Sequence, residues 1–204
     1  KNGIIPDAEG IVSMEKFRNV KLLSEMTLAE LWQLFPIVLS EHDPAWKNFY
    51  ADEEKLLQKH FGKNAARICH IGSTAVAGLI AKPTVDILLE VNEKSDVDMI
   101  RQLAIECGYS VIAETTVPEY QLDLCKGYTP LGFAEKVFHL HIRHLGDWDE
   151  PVFCEYLKQH PDKAREYAAL KTKLQKQFKH DRDAYTEAKG EFIRKCVKAA
   201  RNIK

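Results

Sequence analysis

An aspartate in the middle of an otherwise apolar run limits what this chain can fold into more than any other feature. Val85-Asp86-Ile87-Leu88-Leu89 has the composition of a buried strand. A carboxylate there is costly unless it is paired, hydrogen-bonded or bound to a cation. Ahead of it, with 12 residues between Ser73 and Asp86, stands the turn Gly72-Ser73-Thr74, directly after a strand-like stretch over 67–71. A glycine there lets the backbone bend sharply and approach a ligand. The hydroxyls and N–H groups behind it can bind phosphate oxygens when a helical turn starts at that point. The same three residues also read as an ordinary turn with Ser73 as an N-cap. No G-K-[ST] follows, so the turn is not a P-loop.

A period of two puts Asp86, Leu88 and Glu90 on one strand face. His139, His141 and Arg143 alternate in the same way further along the chain. If those two strands are neighbours, two imidazoles, a guanidinium and a carboxylate converge. Imidazoles can ligate a metal, move protons or bind phosphate when charged; two half-buried histidines on a polar face read equally well. Asp86, His139 and His141 are therefore the candidate catalytic residues, and with Glu90 the candidate cation ligands. Glu90 also reads as the solvated end of its strand. Lys82, Arg143 and Lys189 are the candidate anion contacts beside Gly72, Ser73 and Thr74. Lys82 reads equally as a loop lysine, and Lys189 shares a helix face with Tyr185. His70 either faces this site or caps the sheet.

The rest of the chain predicts helices around a sheet. Thr27 and Glu30 form a capping box ahead of Leu28, Leu31 and Leu34, giving a helix over 28–34 that Pro36 ends, then a short strand over 37–39. Asp43 reads as the N-cap of a second helix with Pro44 first and Gly62 last. A third helix spans 96–107. Residues 109–143 are strand-rich, with alternation at 120–125 and 137–143 and hairpin signals at Pro118, Gly127, Pro130 and Gly132. Helices follow over 151–159, 161 to about 180, and 185–202. Residues 1–25 read as an N-terminal extension and 26–204 as one α+β domain: a mixed β-sheet with flanking helices and a helical C-terminal part.

Formal net charge is −1, from 29 basic and 30 acidic residues, so nothing global favours nucleic acid or an anionic membrane. The 5 scattered cysteines contain no C-x-x-C pair and read as free thiols. The opening segment lacks the apolar run of a signal peptide, and no stretch approaches the length needed to span a bilayer. The expectation is a cytoplasmic protein.

The central stretch resembles the GrpB-like family. HIGSTAVAGLIAKPTVDI at 70–87 is similar to that family's HIGSTAVPGL-x-AKP-x-x-DI signature, with Ala77 where proline is usual. The likeness continues in HDPAW at 42–46, HLHIR at 139–143, EYLKQHPDKAREYAALK at 155–171 and AYTEAKGEFI at 184–193. It covers roughly 37–200. The resemblance implies a nucleotidyltransferase-like fold, in which a Gly-Ser turn precedes a strand bearing an Asp-x-Asp/Glu pair. Gly72-Ser73 and Asp86 match; Leu88 stands where the second carboxylate belongs. Ordinary nucleotidyl transfer uses two divalent ions held by clustered acids, and that set is incomplete here.

Two readings follow. In one, the chain binds a nucleotide or another phosphorylated small molecule with Mg2+ or Mn2+ and carries out nucleotidyl or phosphoryl transfer. In the other, it is a non-catalytic module for a nucleotide or a coenzyme A precursor on the same fold. A metal-dependent hydrolase built on Asp86, His139 and His141 is a third form, with Asp123 or His70 as a further ligand.

Overall fold

The computed structural model describes residues 21–202. Five strands form one sheet: β1 (Ala65–Ile71), β2 (Val85–Val91), β3 (Ser110–Thr115), β4 (Gln121–Thr129) and β5 (Gly132–His144), in the spatial order β1-β2-β5-β4-β3. β2 and β5 run parallel; every other neighbouring pair is antiparallel. The α+β class with a mixed sheet holds.

β2 is interior and buried along almost its whole length, as expected of a strand covered on both sides. One face of the sheet presents Ile87, Leu89, Leu140, Ile142, Leu122 and Leu124 to the helices α2 (Ala45–Phe61) and α3 (Val97–Glu106), which contribute Trp46, Leu57, Phe61, Ile100 and Ala104. Each such aliphatic side chain removed from water contributes about 1.5–3 kcal/mol. That apolar face anchors the strands, so the other face can carry polar groups at defined positions.

A second layer is built from α4 (Asp149–Gln159), α5 (Pro161–Gln177) and α6 (Arg182–Asn202). Their apolar faces pack Phe153, Leu157, Tyr167 and Val197 against Val76 and Leu79 of the segment between β1 and β2. The C-terminal helices are therefore joined to the Gly72 turn itself. α1 (Leu28–Leu34) starts at the capping box, with Thr27 and Glu30 bonded to each other's backbone N–H.

Several boundaries differ from expectation. Residues 37–39 form no strand: Ser40 makes only an isolated bridge with Ala81, and the Ile37 N–H is taken by Lys179 O. The second helix begins at Ala45 rather than Pro44, with Asp43 Oδ1 accepting from the Ala45 N–H at 2.8 Å. The last begins at Arg182, because Asp181 accepts from the Ala184 and Tyr185 N–H groups. Most of the expected extension over 1–25 lies outside the described residues; within it, Leu23–Glu25 is a single helical turn. The five cysteines are all unpaired. Among the described residues no helix is long and apolar enough to cross a membrane.

Candidate functional site

Gly72 ends β1 at φ 69° and ψ −169°, a backbone that L side chains rarely adopt. The requirement is also steric. A Cβ at Gly72 would stand 2.3 Å from Asp86 Oδ2, so the carboxylate occupies the space that a side chain would need. Ser73 opens the helical turn Ser73–Ala75, and its Oγ accepts a hydrogen bond from Lys171 Nζ at 2.9 Å. Thr74 departs from the expected phosphate-contact role. It is buried, with Oγ1 at 3.0 Å from His70 Nε2, and it ties the turn back to β1 rather than lining the cavity. His70 stacks on Tyr50, and burial lowers its pKa to about 4.

The parallel pairing of β2 with β5 sets Asp86 beside His139 and Leu88 beside His141, and β4 brings Asp123 opposite His141. Asp86, His139 and His141 each offer one ligand atom within 4.8 Å of the others. His139 Nδ1 lies 3.2 Å and His141 Nε2 4.0 Å from Asp86 Oδ1. The far nitrogens are also engaged: His141 Nδ1 with Asp123 Oδ1 at 2.8 Å, and His139 Nε2 with the Tyr128 hydroxyl at 2.8 Å. Arg143 donates to Asp123 at 2.7 Å, and Arg182 donates to the Tyr128 oxygen at 2.8 Å. Burial acts to raise the Asp86 pKa, but the His139 hydrogen bond and the charges of His139, His141 and Lys82 bring it to about 2. Burial lowers that of His139 against the pull of Asp86.

Around this carboxylate the structure gathers cations. Lys82, Lys171, Arg182 and Lys189 all line one cavity of about 1920 Å3 together with Asp86, Ser73 and the two histidines. Lys171 is 2% exposed; Nζ donates to Ser73 Oγ and to Ile80 O, with no carboxylate partner. Lys82 and Lys189 have no hydrogen-bond acceptor among the described residues, and Lys189 Nζ lies 4.5 Å from the Tyr185 ring centroid. Burial, with help from neighbouring positive charge, lowers Lys82 and Lys171 to about 7 and Lys189 to about 8. Lysines lowered this far by burial and by one another mark a candidate functional site.

Two expected site residues lie apart from the cluster. Glu90 is on the same face but fully buried, paired with Arg67 and accepting from the Gly146 N–H at 3.0 Å; it anchors the loop after β5. Arg143 is 4% exposed and engaged with Asp123 Oδ1 and the Leu122 and Ile142 carbonyls, so it holds an acid in place rather than facing the cavity. Leu88 is fully buried at the position of the missing carboxylate. The donor set therefore does not fit a pair of carboxylate-bound cations. Two imidazoles and one carboxylate do fit a single ion.

Lys171, Arg182 and Tyr128 were not legible as site residues. For Lys171 a signal existed: it lies between Tyr167 and Leu174 on the buried stripe of α5, where a lysine does not belong without a task. Tyr128 reaches His139 because β4 is irregular at Gly127, φ 90°, which shifts the register between Lys126 and Tyr128.

The GrpB protein family model matches residues 36–199 of this chain. A UPF0157 protein of Pseudomonas aeruginosa is 33% identical over 156 residues, covering 76% of this chain and 64% of that protein. Glutamate-rich protein GrpB of Alkalihalophilus pseudofirmus is 30% identical over 164 residues, 77% of this chain and 91% of that one. The crystal structure of conserved protein GrpB from Enterococcus faecalis matches with a TM-score of 0.69 at 29% identity, over 80% of this chain and 96% of that chain. A dephospho-CoA kinase of Mycolicibacterium paratuberculosis is 24% identical over 189 residues, with this chain spanning 46% of its length. The chain thus spans less than two thirds of the Pseudomonas relative and less than half of the kinase.

Proposed function

The chain belongs to the GrpB protein family, and on that premise we propose that its cavity binds a nucleotide or another phosphorylated small molecule. One observation carries this reading: Lys82, Lys171, Lys189 and Arg182 converge on the part of the cavity around Asp86, the one acid whose charge acts on the three lysines, and Asp86 is itself engaged with His139. Cations clustered there without carboxylate hydrogen-bond partners suit a multivalent anion, and lysine ammonium groups meet phosphate oxygens as point charges. The Ser73 hydroxyl, held by Lys171, borders the same space, in keeping with the phosphate turn of a nucleotidyltransferase-like protein.

Asp86, His139 and His141 would hold one cation beside the anion. Two-metal nucleotidyl transfer is disfavoured by buried Leu88, so any transfer would proceed with one ion. That same leucine favours the second reading, a pocket that binds without turnover. The similarity to a dephospho-CoA kinase places coenzyme A precursors among the ligands to try.

Thermal unfolding with inorganic phosphate, pyrophosphate, nucleoside triphosphates and coenzyme A precursors, with and without a chelator, tests the proposal. A ligand at about 100 times its Kd stabilises the fold by about 2.7 kcal/mol through mass action. Stabilisation should be lost in Lys82→Met and Lys189→Met. No shift with any phosphorylated compound at millimolar concentration would count against it.

A further inference from the structure

We infer that Asp86, His139 and His141 form a site for one zinc-class divalent ion, such as Zn2+ or Co2+, that discriminates against Mg2+. The inference rests on the reading that this cavity holds a cation, and it replaces the expectation of Mg2+ or Mn2+.

Donor chemistry gives the selectivity. Mg2+ takes oxygen ligands in near-ideal octahedral geometry, whereas imidazole nitrogen favours zinc and its neighbours. The cluster supplies two nitrogens and one carboxylate. The acids that could have made it oxygen-rich are absent or engaged: position 88 is leucine, and Glu90 is paired with Arg67.

The surroundings of each histidine fit the same chemistry. Asp123 is paired with Arg143 and accepts from His141 Nδ1, so the proton of His141 sits on Nδ1. The lone pair of Nε2 is then aimed at Asp86 Oδ1, 4.0 Å away. Zinc–ligand bonds of about 2.0–2.2 Å place two donors of one ion about 3.3–3.6 Å apart, so a small rotation closes the gap. This is the carboxylate–histidine–metal arrangement that fixes both tautomer and ring orientation. His139 faces Asp86 through Nδ1 at 3.2 Å and Tyr128 through Nε2. The Tyr128 hydroxyl can donate or accept. It therefore serves His139 whether the imidazole proton is on Nδ1 or has moved to Nε2 to free Nδ1 for a metal. Three protein ligands would leave a fourth position of a tetrahedral ion open to the cavity that the lysines also line.

The test is a titration of the full chain with Co2+, followed by its visible ligand-field absorption, with Zn2+ and Mg2+ as competitors and with and without sulfate. The expected result is one equivalent of Co2+, displaced by stoichiometric Zn2+ and retained in excess Mg2+. His141→Gln should abolish the spectrum. Asp123→Asn and Tyr128→Phe, each checked for a native melting transition, should weaken Co2+ about 10–100-fold. Mg2+ competing on equal terms, or an unchanged spectrum in His141→Gln, would overturn the assignment. If sulfate binds and Co2+ does not, the metal site is refuted while the anion site stands; if Co2+ binds and sulfate does not, the reverse holds.

Discussion

If the cavity binds an anion as proposed, its three lysines should make the affinity steeply dependent on pH. Without ligand, Lys82 and Lys171 titrate at about 7 and Lys189 at about 8, against an ordinary 10.5. An anion stabilises the charged ammonium and returns each group towards its ordinary range. Binding is then coupled to proton uptake, and affinity must fall as pH rises through the lowered pKa values. Treating the three lysines as independent sites, uptake amounts to about two protons at pH 8 and about 0.2 of a proton at pH 6. Integrated over that window, affinity falls about 200-fold, or roughly 3 kcal/mol. Sulfate is the appropriate probe, because its charge is constant there while phosphate monoesters lose their second proton near pH 6. Isothermal titration at fixed ionic strength, repeated in two buffers of different ionisation enthalpy, reads both the affinity and the proton count. If sulfate affinity changes less than about threefold, or strengthens with pH, the lysines are not held neutral by this cavity and the argument for an anion site loses its support.

Without anion, the same lysines bind fewer protons in the folded than in the unfolded chain above neutrality, so their contribution to stability rises with pH from about 7 towards 10. The urea midpoint of the native chain should therefore gain on that of a Lys82→Met/Lys189→Met variant between pH 7 and pH 9; parallel profiles would contradict this. Lys171→Met removes a charge-assisted contact of about 1.5–3 kcal/mol and should weaken sulfate about 10–100-fold at pH 6, where the amine is charged. Arg67→Ala leaves the buried Glu90 carboxylate with the Gly146 N–H; since Arg67 is half exposed, the loss should be about 1–2 kcal/mol in chemical denaturation. Co2+ and sulfate affinities should not move in that variant, and a change in the Co2+ spectrum would return Glu90 to the list of ligands. Gly72→Ala should destabilise by at least about 1 kcal/mol, from its left-handed backbone alone, and weaken Co2+ by displacing Asp86.

Much of the site could be read in advance where neighbours in space are neighbours in sequence or share a strand period. The Gly72 turn, Asp86 and the alternation of His139 with His141 are of that kind, and the pairing of β2 with β5 joins them. Glu90 and Arg143 obeyed the same period, yet they differ from Asp86 in depth along the strand. They meet Arg67 and Asp123 before they can reach the cavity, and a period gives the face but not the partner. Lys171 and Arg182 arrive from helices about 100 residues downstream of the turn, where helical periodicity marks the buried stripe without saying what it covers. The expected strand over 37–39 was apolar for another reason. Ile37 belongs to a small core with Leu174 and Tyr185, and burial there needed no ladder.

The shared space of Gly72 and Asp86 bears on how such a site can be lost. A side chain at 72 and a carboxylate at 86 claim the same volume, so the two positions act as a single heritable character. A lineage that discards the acid first opens room at the turn, and later drift at 72 meets only the strain of its backbone. The opposite order passes through a chain that must hold both groups at once. Among relatives, a residue other than glycine at 72 should therefore be found with position 86 already emptied of its acid. Those members would be recognisable as having lost the acid of the site while retaining the fold.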